Sequence, residues 1–127
     1  MLNADVRRVV ASAALGHLAT LLPDGAPHSV PVWVDPEGDH IAIMTGPDSV
    51  KARNLRRDPR VALSLTPVDN PFEPVVVRGR VVKWIEGDEA WSIVDRIATK
   101  YIGQPYTREQ VRVVGLIEVE RQHVGMS

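Results

Sequence analysis

Two short turn signals constrain this chain most. Pro23-Asp24-Gly25-Ala26 and Pro36-Glu37-Gly38-Asp39 each separate apolar, alternating stretches by only a few residues. A connection that short reverses the chain, because a parallel neighbour needs a crossover of roughly a dozen residues or more. Residues 16–22, 27–35 and 41–45 are therefore expected to be strands paired as successive hairpins. In the second of them His28, Val30, Val32 and Val34 share one face, with Ser29, Pro31 and Trp33 on the other. Pro31 cannot donate to a ladder, which puts this strand at an edge or at a bulge.

Further strands are expected at 60–65, 75–86 and 111–120. Gly79, between Arg78 and Arg80, marks a bulge or a close approach. The last strand is apolar on both faces around Gly115, which implies a central, covered position. Three helices complete the pattern. Val6, Val9, Val10 and Ala13 recur at helical spacing after a candidate cap at Asn3, and Gly16 ends the run. Arg7-Arg8 followed by an apolar run imitates a signal peptide, but the helical spacing favours a folded helix. Ala90, Trp91, Val94, Ile97, Ala98 and Tyr101 form the clearest apolar stripe, stopped by Gly103. The order is helix, three strands, helix, two strands, helix, strand. This predicts a mainly β, α+β domain in which about six antiparallel strands close or nearly close into a small barrel, removing exposed edges.

At 127 residues the chain suits one domain, 1–127, with a real core. Its formal net charge of −1 gives no field that would attract nucleic acid or an anionic membrane. No stretch is long and apolar enough to span a bilayer. The absence of cysteine excludes disulfides and thiolate chemistry and fits the cytoplasm. His17, His28, His40 and His123 lack metal-ligand spacing, so no metal is expected.

Anion recognition must then be local, and one stretch invites it. Thr45 to Arg60 is a turn feeding a short helix capped by Asp48 or Ser49 and stopped at Pro59. A helix N-terminus carries roughly half a positive charge, so Lys51 and Arg53 sit where a cation is disfavoured unless an anion binds. Asn54, three residues after Lys51, can point to the same side. The competing reading is an exposed helix with unremarkable charges. Arg56, Arg57 and Arg60 lie at the other end, where cations are favoured, and read as solvated charge. The loop at 67–74 holds the only Phe, Phe72, as either a binding element or a packing anchor.

Several blocks together carry a resemblance: Gly-His-Leu-Ala-Thr at 16–20, Asp24-Gly25-x-Pro27-His28, Lys51-Ala52-Arg53-Asn54-Leu55-Arg56-Arg57-Asp58-Pro59-Arg60, Asp69-Asn70-Pro71-Phe72 and Arg78-Gly79-Arg80-Val81. With them the chain resembles the pyridoxamine 5'-phosphate oxidase-like split β-barrels, the FMN-binding type of fold, and among these the actinobacterial flavin- and deazaflavin-dependent oxidoreductases. The resemblance implies a homodimer with cofactor sites along the interface, each ring in a groove of one protomer closed by the other. It places His28, Ser29, Val30, Pro31, Val32 and Trp33 beside the ring, and Thr45, Ser49, Lys51 and Asn54 near the phosphate-bearing tail. It carries Arg53 with them, although positions 51 and 53 diverge by about 200° around a helix, which would turn Arg53 to solvent or to the other subunit.

The implied function is a cytoplasmic oxidoreductase moving a hydride between reduced deazaflavin, coenzyme F-420, and a small conjugated organic acceptor. The cofactor carries the redox chemistry, so the sequence assigns no catalytic side chain; Tyr101, Tyr106 and the histidines are the available proton donors. An FMN-dependent oxidase or reductase is the alternative within the class. A non-catalytic binder of a flavin, tetrapyrrole or similar planar ligand is the alternative outside it. Nucleic-acid binding through Arg53, Arg56, Arg57 and Arg60 is disfavoured by the near-neutral charge.

Overall fold

The computed structural model describes residues 1–126. In chain order the elements are α1 (Ala4–Ala11), β1 (Gly16–Leu21), β2 (Pro27–Val32), β3 (Val34–Glu37), β4 (His40–Thr45), α2 (Val50–Arg57), β5 (Arg60–Leu65), β6 (Val75–Ile85), α3 (Gly87–Ile102) and β7 (Val113–Val124). All strands pair antiparallel in one curled, seven-stranded sheet ordered β2-β1-β5-β6-β7-β4-β3. The architecture is the expected split barrel.

The count of strands differs from the sequence expectation, and the reason locates the split. Residues 27–35 were expected as one strand; the chain instead breaks at Trp33 into β2 and β3. β2 pairs with β1 at one edge of the sheet, while β3 pairs with β4 at the opposite edge. A single extended stretch thus supplies both edges and holds the curled sheet nearly closed. Pro31 lies in the edge strand β2, where its missing N–H costs no ladder bond. Val32 and Val34 both remain buried across the break.

Two apolar cores follow from the alternation along β4 and β7. Ile41, Ile43 and Ile117 point into the barrel with Leu18, Leu63, Leu65, Val75 and Val77, and α1 closes that side with Val6, Val9 and Val10. Ala42, Val114 and Leu116 face the other way and meet Ala90, Ile93, Val94 and Ile97 of α3. Burial on both faces is why β7 reads as continuously apolar at its start. It also runs on to Val124, past the expected end at 120, because its second half pairs with the long β6. α1 stops at Ala11, not beyond Ala13. The Ser12 hydroxyl donates to the Val9 carbonyl at 2.6 Å, competing with helix continuation, so Ala13 is exposed and Ala14 is buried.

Gly79 is required by close approach, since its φ is not positive. A Cβ built there would lie 1.9 Å from the Glu118 carbonyl oxygen, next to the register shift between Arg78 and Gly79. Gly79→Ala is expected to cost about 1–3 kcal/mol or more, because the obstacle is backbone that cannot rotate away. Urea unfolding checks this: the midpoint should fall markedly while the slope with denaturant stays near that of the parent.

A candidate cofactor cleft at the split

A cleft of about 820 Å³ opens where the sheet splits at Trp33. That size is within the range of roughly 300–1,000 Å³ that accommodates cofactors and drug-sized ligands. Three segments line it. Pro31, Val32 and Trp33 come from the break between β2 and β3; Met44, Thr45, Ser49 and Lys51 come from the end of β4 and the start of α2; Tyr106, Gln110 and Arg112 come from the loop entering β7.

The middle segment is held by its own hydrogen bonds. Of the two candidate caps, Ser49 takes the role: its hydroxyl accepts from the Ala52 N–H at 3.1 Å and lies 2.7 Å from the Thr45 hydroxyl. The Asp58 N–H closes the far end on the Asn54 carbonyl, ahead of Pro59. Lys51 then sits half-buried on the cleft wall at the positive end of α2.

A second cation comes from across the fold. Arg112 donates to the Tyr106 hydroxyl at 3.0 Å and to Gln110 Oε1 at 3.1 Å, with its guanidinium 5.2 Å from the Tyr106 ring centre. Burial, and after it the Arg112 charge, push the Lys51 ammonium below its usual lysine pKa. Neither cation has an ion-pair partner among the described residues. Asp48 also lines the cleft but pairs with neither cation, so both remain available to an anionic ligand.

Two aromatic side chains, Trp33 and Tyr106, also line the cleft, and a third, Tyr101, packs on Trp33 outside the lining. Trp33 stacks on Tyr101 with centroids 5.2 Å apart and planes within 8°, and Tyr106 meets Trp33 edge-on at 6.2 Å. The Tyr101 hydroxyl is committed to structure: it donates to the Ala14 carbonyl at 2.7 Å and accepts from the Val34 N–H at 3.3 Å. Beside Tyr101, Lys100 of α3 donates to the Val10 and Val34 carbonyls and to Asp35 Oδ1 at 3.0 Å. Desolvation pushes the Lys100 pKa down against the pull of Asp35.

Of the residues singled out from sequence, Pro31, Val32, Trp33, Thr45, Ser49 and Lys51 line this cleft. His28, Ser29 and Val30 do not: they lie further along β2, opposite Thr20, Ala19 and Leu18 of β1. His28 leaves its Nδ1 buried without a hydrogen-bond partner among the described residues. Arg53 is exposed and outside the cleft, on the diverging helix face. Asn54 is a correction, for it does not share the side of Lys51. It is 2 % exposed, its amide donates to the Thr20 hydroxyl at 3.0 Å, and its carbonyl oxygen accepts from Arg57 at 2.9 Å, tying α2 to β1.

Arg56 and Arg57 at the end of α2 and Arg60 at the start of β5 are exposed, as expected of solvated charge, but they are not free. Arg57 donates to the Leu21 carbonyl at 2.6 Å, Arg56 donates to the Pro47 carbonyl at 2.7 Å and lies 5.2 Å from the Trp84 ring centre, and Arg60 pairs with Asp58. They are exposed but structurally engaged. Phe72 is 76 % exposed, which removes the anchor reading within this chain. Arg112 and Gln110 were missed, because a lone arginine ahead of an apolar strand carries no local signal of its meeting Lys51.

No group of three or more His, Cys, Asp or Glu residues arranged to hold a metal occurs among the described residues, and no helix there is long and apolar enough to cross a membrane. No curated protein matches this sequence. Among solved structures, a conserved hypothetical protein, Rv2991 from Mycobacterium tuberculosis, is 32% identical over 98% of this chain and 84% of its own, with a TM-score of 0.80. An F-420 reductase superposes with a TM-score of 0.83 at 24% identity, covering 96% of this chain and 98% of that one. HupZ from group A Streptococcus superposes at 0.72 with 16% identity, covering 98% and 94% respectively. The last two likenesses show the fold alone. Residues 2–124 match the family model described as pyridoxamine 5'-phosphate oxidase, and the chain belongs to that family.

Proposed function

We propose that this protein is an oxidoreductase that moves a hydride between reduced deazaflavin, coenzyme F-420, and a small conjugated organic acceptor. One observation carries the reading: Lys51 and Arg112, neither in an ion pair, line the same cleft as the aromatic rings of Trp33 and Tyr106. A planar ring joined to a phosphate satisfies both halves of that cleft at once. When bound, such a cofactor supplies the redox chemistry. The protein's own residues then bind and orient: Lys51, the Ser49-capped helix end and Arg112 hold the phosphate, while Val32 and Trp33 flank the ring and exclude water. The fold shared with an F-420 reductase and the earlier motif resemblance support deazaflavin. The family itself supports FMN as the second reading.

The same reading carries a homodimer. Ser29, Ala19 and Ala62 lie side by side across β2, β1 and β5, giving a face of small side chains on which a second copy can come close. The test is a matched titration of the purified protein with F-420 and with FMN, followed by cofactor fluorescence, with sedimentation of the same samples. Tighter binding of F-420 by a dimer is the expected result. Preference for FMN moves the assignment to the oxidase or flavin-reductase chemistry, and binding of neither overturns both.

A further inference from the structure

Residues 103–112 join α3 to β7 without helix or strand, and they carry Tyr106, Gln110 and Arg112 into the cleft. An unfastened loop would not keep an arginine beside a lysine. The two cations repel, and turning Arg112 out to solvent would relieve that. Arg112 is instead seated against the turn before α2. Its guanidinium lies so close over Gly46 that a Cβ there would come 3.1 Å from Nη1, and Gly46 has no positive φ, so this glycine supplies room.

What fastens the loop is one carboxylate on α3. Arg108 meets Asp95 fork to fork, Nη1 to Oδ1 at 2.9 Å and Nη2 to Oδ2 at 2.7 Å, while the Tyr106 N–H donates to Oδ1 at 3.2 Å. Arg108 also donates to the Tyr106 carbonyl at 2.9 Å, and its guanidinium lies 3.9 Å from the Trp91 ring centre. Asp95 thereby holds both backbone groups of Tyr106, one directly and one through Arg108. Among the described residues no other hydrogen bond ties 104–112 to the rest of the chain. From Tyr106 the contacts run on to Arg112, which donates to the Tyr106 hydroxyl and to Gln110. Neither Asp95 nor Arg108 lines the cleft itself.

We propose that Asp95 and Arg108 are positioning residues for this cleft: they fasten the 103–112 loop so that Arg112 stands beside Lys51 and the two cations share one anion. Resting on the reading of the cleft as an anionic-cofactor site, this clamp completes the site before any ligand arrives. Ordering Arg112 in the free protein removes a cost that binding would otherwise carry.

The first test needs no ligand, because Lys51 reports where Arg112 is. Burial and then the Arg112 charge hold the Lys51 pKa below the ordinary lysine value, with Asp48 and Tyr106 the other titratable groups lining the cleft. The lysine Cε NMR signal of the full chain is followed through a pH titration in the parent, Arg112→Ala, Asp95→Asn and Arg108→Gln. All three variants are expected to raise the Lys51 midpoint, and Asp95→Asn combined with Arg112→Ala to raise it by less than the sum. Removing the Asp95 charge would by itself lower that midpoint, and removing the Arg108 charge would raise it, so a rise in both isolates the movement of Arg112. The pair is a largely exposed one, so both variants keep the fold. Affinity for F-420 and for FMN, titrated separately, should fall by about tenfold in both variants for whichever cofactor the parent binds, and Arg108→Lys, which keeps the charge without the fork, should not restore it. The lysine titration decides the clamp even where the parent binds neither cofactor, an outcome that overturns only the assigned chemistry. A Lys51 midpoint that Arg112→Ala leaves unchanged, or that Asp95→Asn lowers or leaves unchanged, overturns the clamp.

Discussion

Replacing Lys51 and Arg112 together by alanine is expected to weaken binding of the phosphate-bearing cofactor by at least about 3 kcal/mol, roughly two orders of magnitude, if each loses one charge-assisted hydrogen bond. The pair repels itself in the free protein, so the double variant should unfold at a temperature no lower than the parent. Loss of affinity without loss of stability separates a ligand role from a structural one. Single variants will not sum to the double, because removing one cation relieves the other. The same titration on Arg57→Ala should show unchanged affinity, since that side chain is committed to Leu21 and Asn54 on the far side of α2. The pH dependence has a definite sign. Lys51 loses its proton at a lower pH than an ordinary lysine, so affinity should begin to fall at correspondingly milder alkalinity. Retained affinity in the double variant would remove both residues from the site.

Lys100→Met is expected to destabilise the protein by about 3 kcal/mol or more, lowering the melting temperature by roughly 10 °C. The ammonium joins three elements: it donates to the carbonyl of Val10 at the end of α1, to that of Val34 in β3, and to the Asp35 carboxylate. Methionine fills the volume but leaves the two carbonyls without this donor. Asp35 keeps Arg96 at 2.9 Å, which limits the loss. Because Lys100 sits immediately before Tyr101, whose ring stacks on Trp33, the aromatic near-ultraviolet dichroism should weaken as well. A melting temperature within a degree or two of the parent would show that water replaces the ammonium at no cost.

These two lysines illustrate what was legible in the chain. Lys51 could be read because its oddity is local: a cation at a helix N-terminus violates the dipole preference whatever the rest of the fold does. Lys100 obeyed that preference at a C-terminus and so looked ordinary, although it is the half-buried lysine with three partners. Asn54 failed for the opposite reason. Its spacing from Lys51 allowed a shared face, but a buried amide must find partners, and Thr20 on β1 and Arg57 supplied them. Arg112 carried no local anomaly at all.

The strands show the same division. Alternation and turn chemistry placed nearly every element, because side-chain period and chain reversal are properties of a few consecutive residues. The break at Trp33 was invisible, since Val32-Trp33-Val34 has the composition of an uninterrupted strand. What breaks it is the demand that one extended stretch serve two opposite edges of a curled sheet, a condition set by residues far away in sequence. The sequence by itself therefore determined the elements, their antiparallel order, the bulge at Gly79 and the anomalous charge at Lys51. Only the tertiary structure decided that the split falls at Trp33 and that Arg112 joins Lys51. Each of these is a meeting between distant segments, and the energies that decide it appear only when the sheet curls and the buried polar groups must choose their partners.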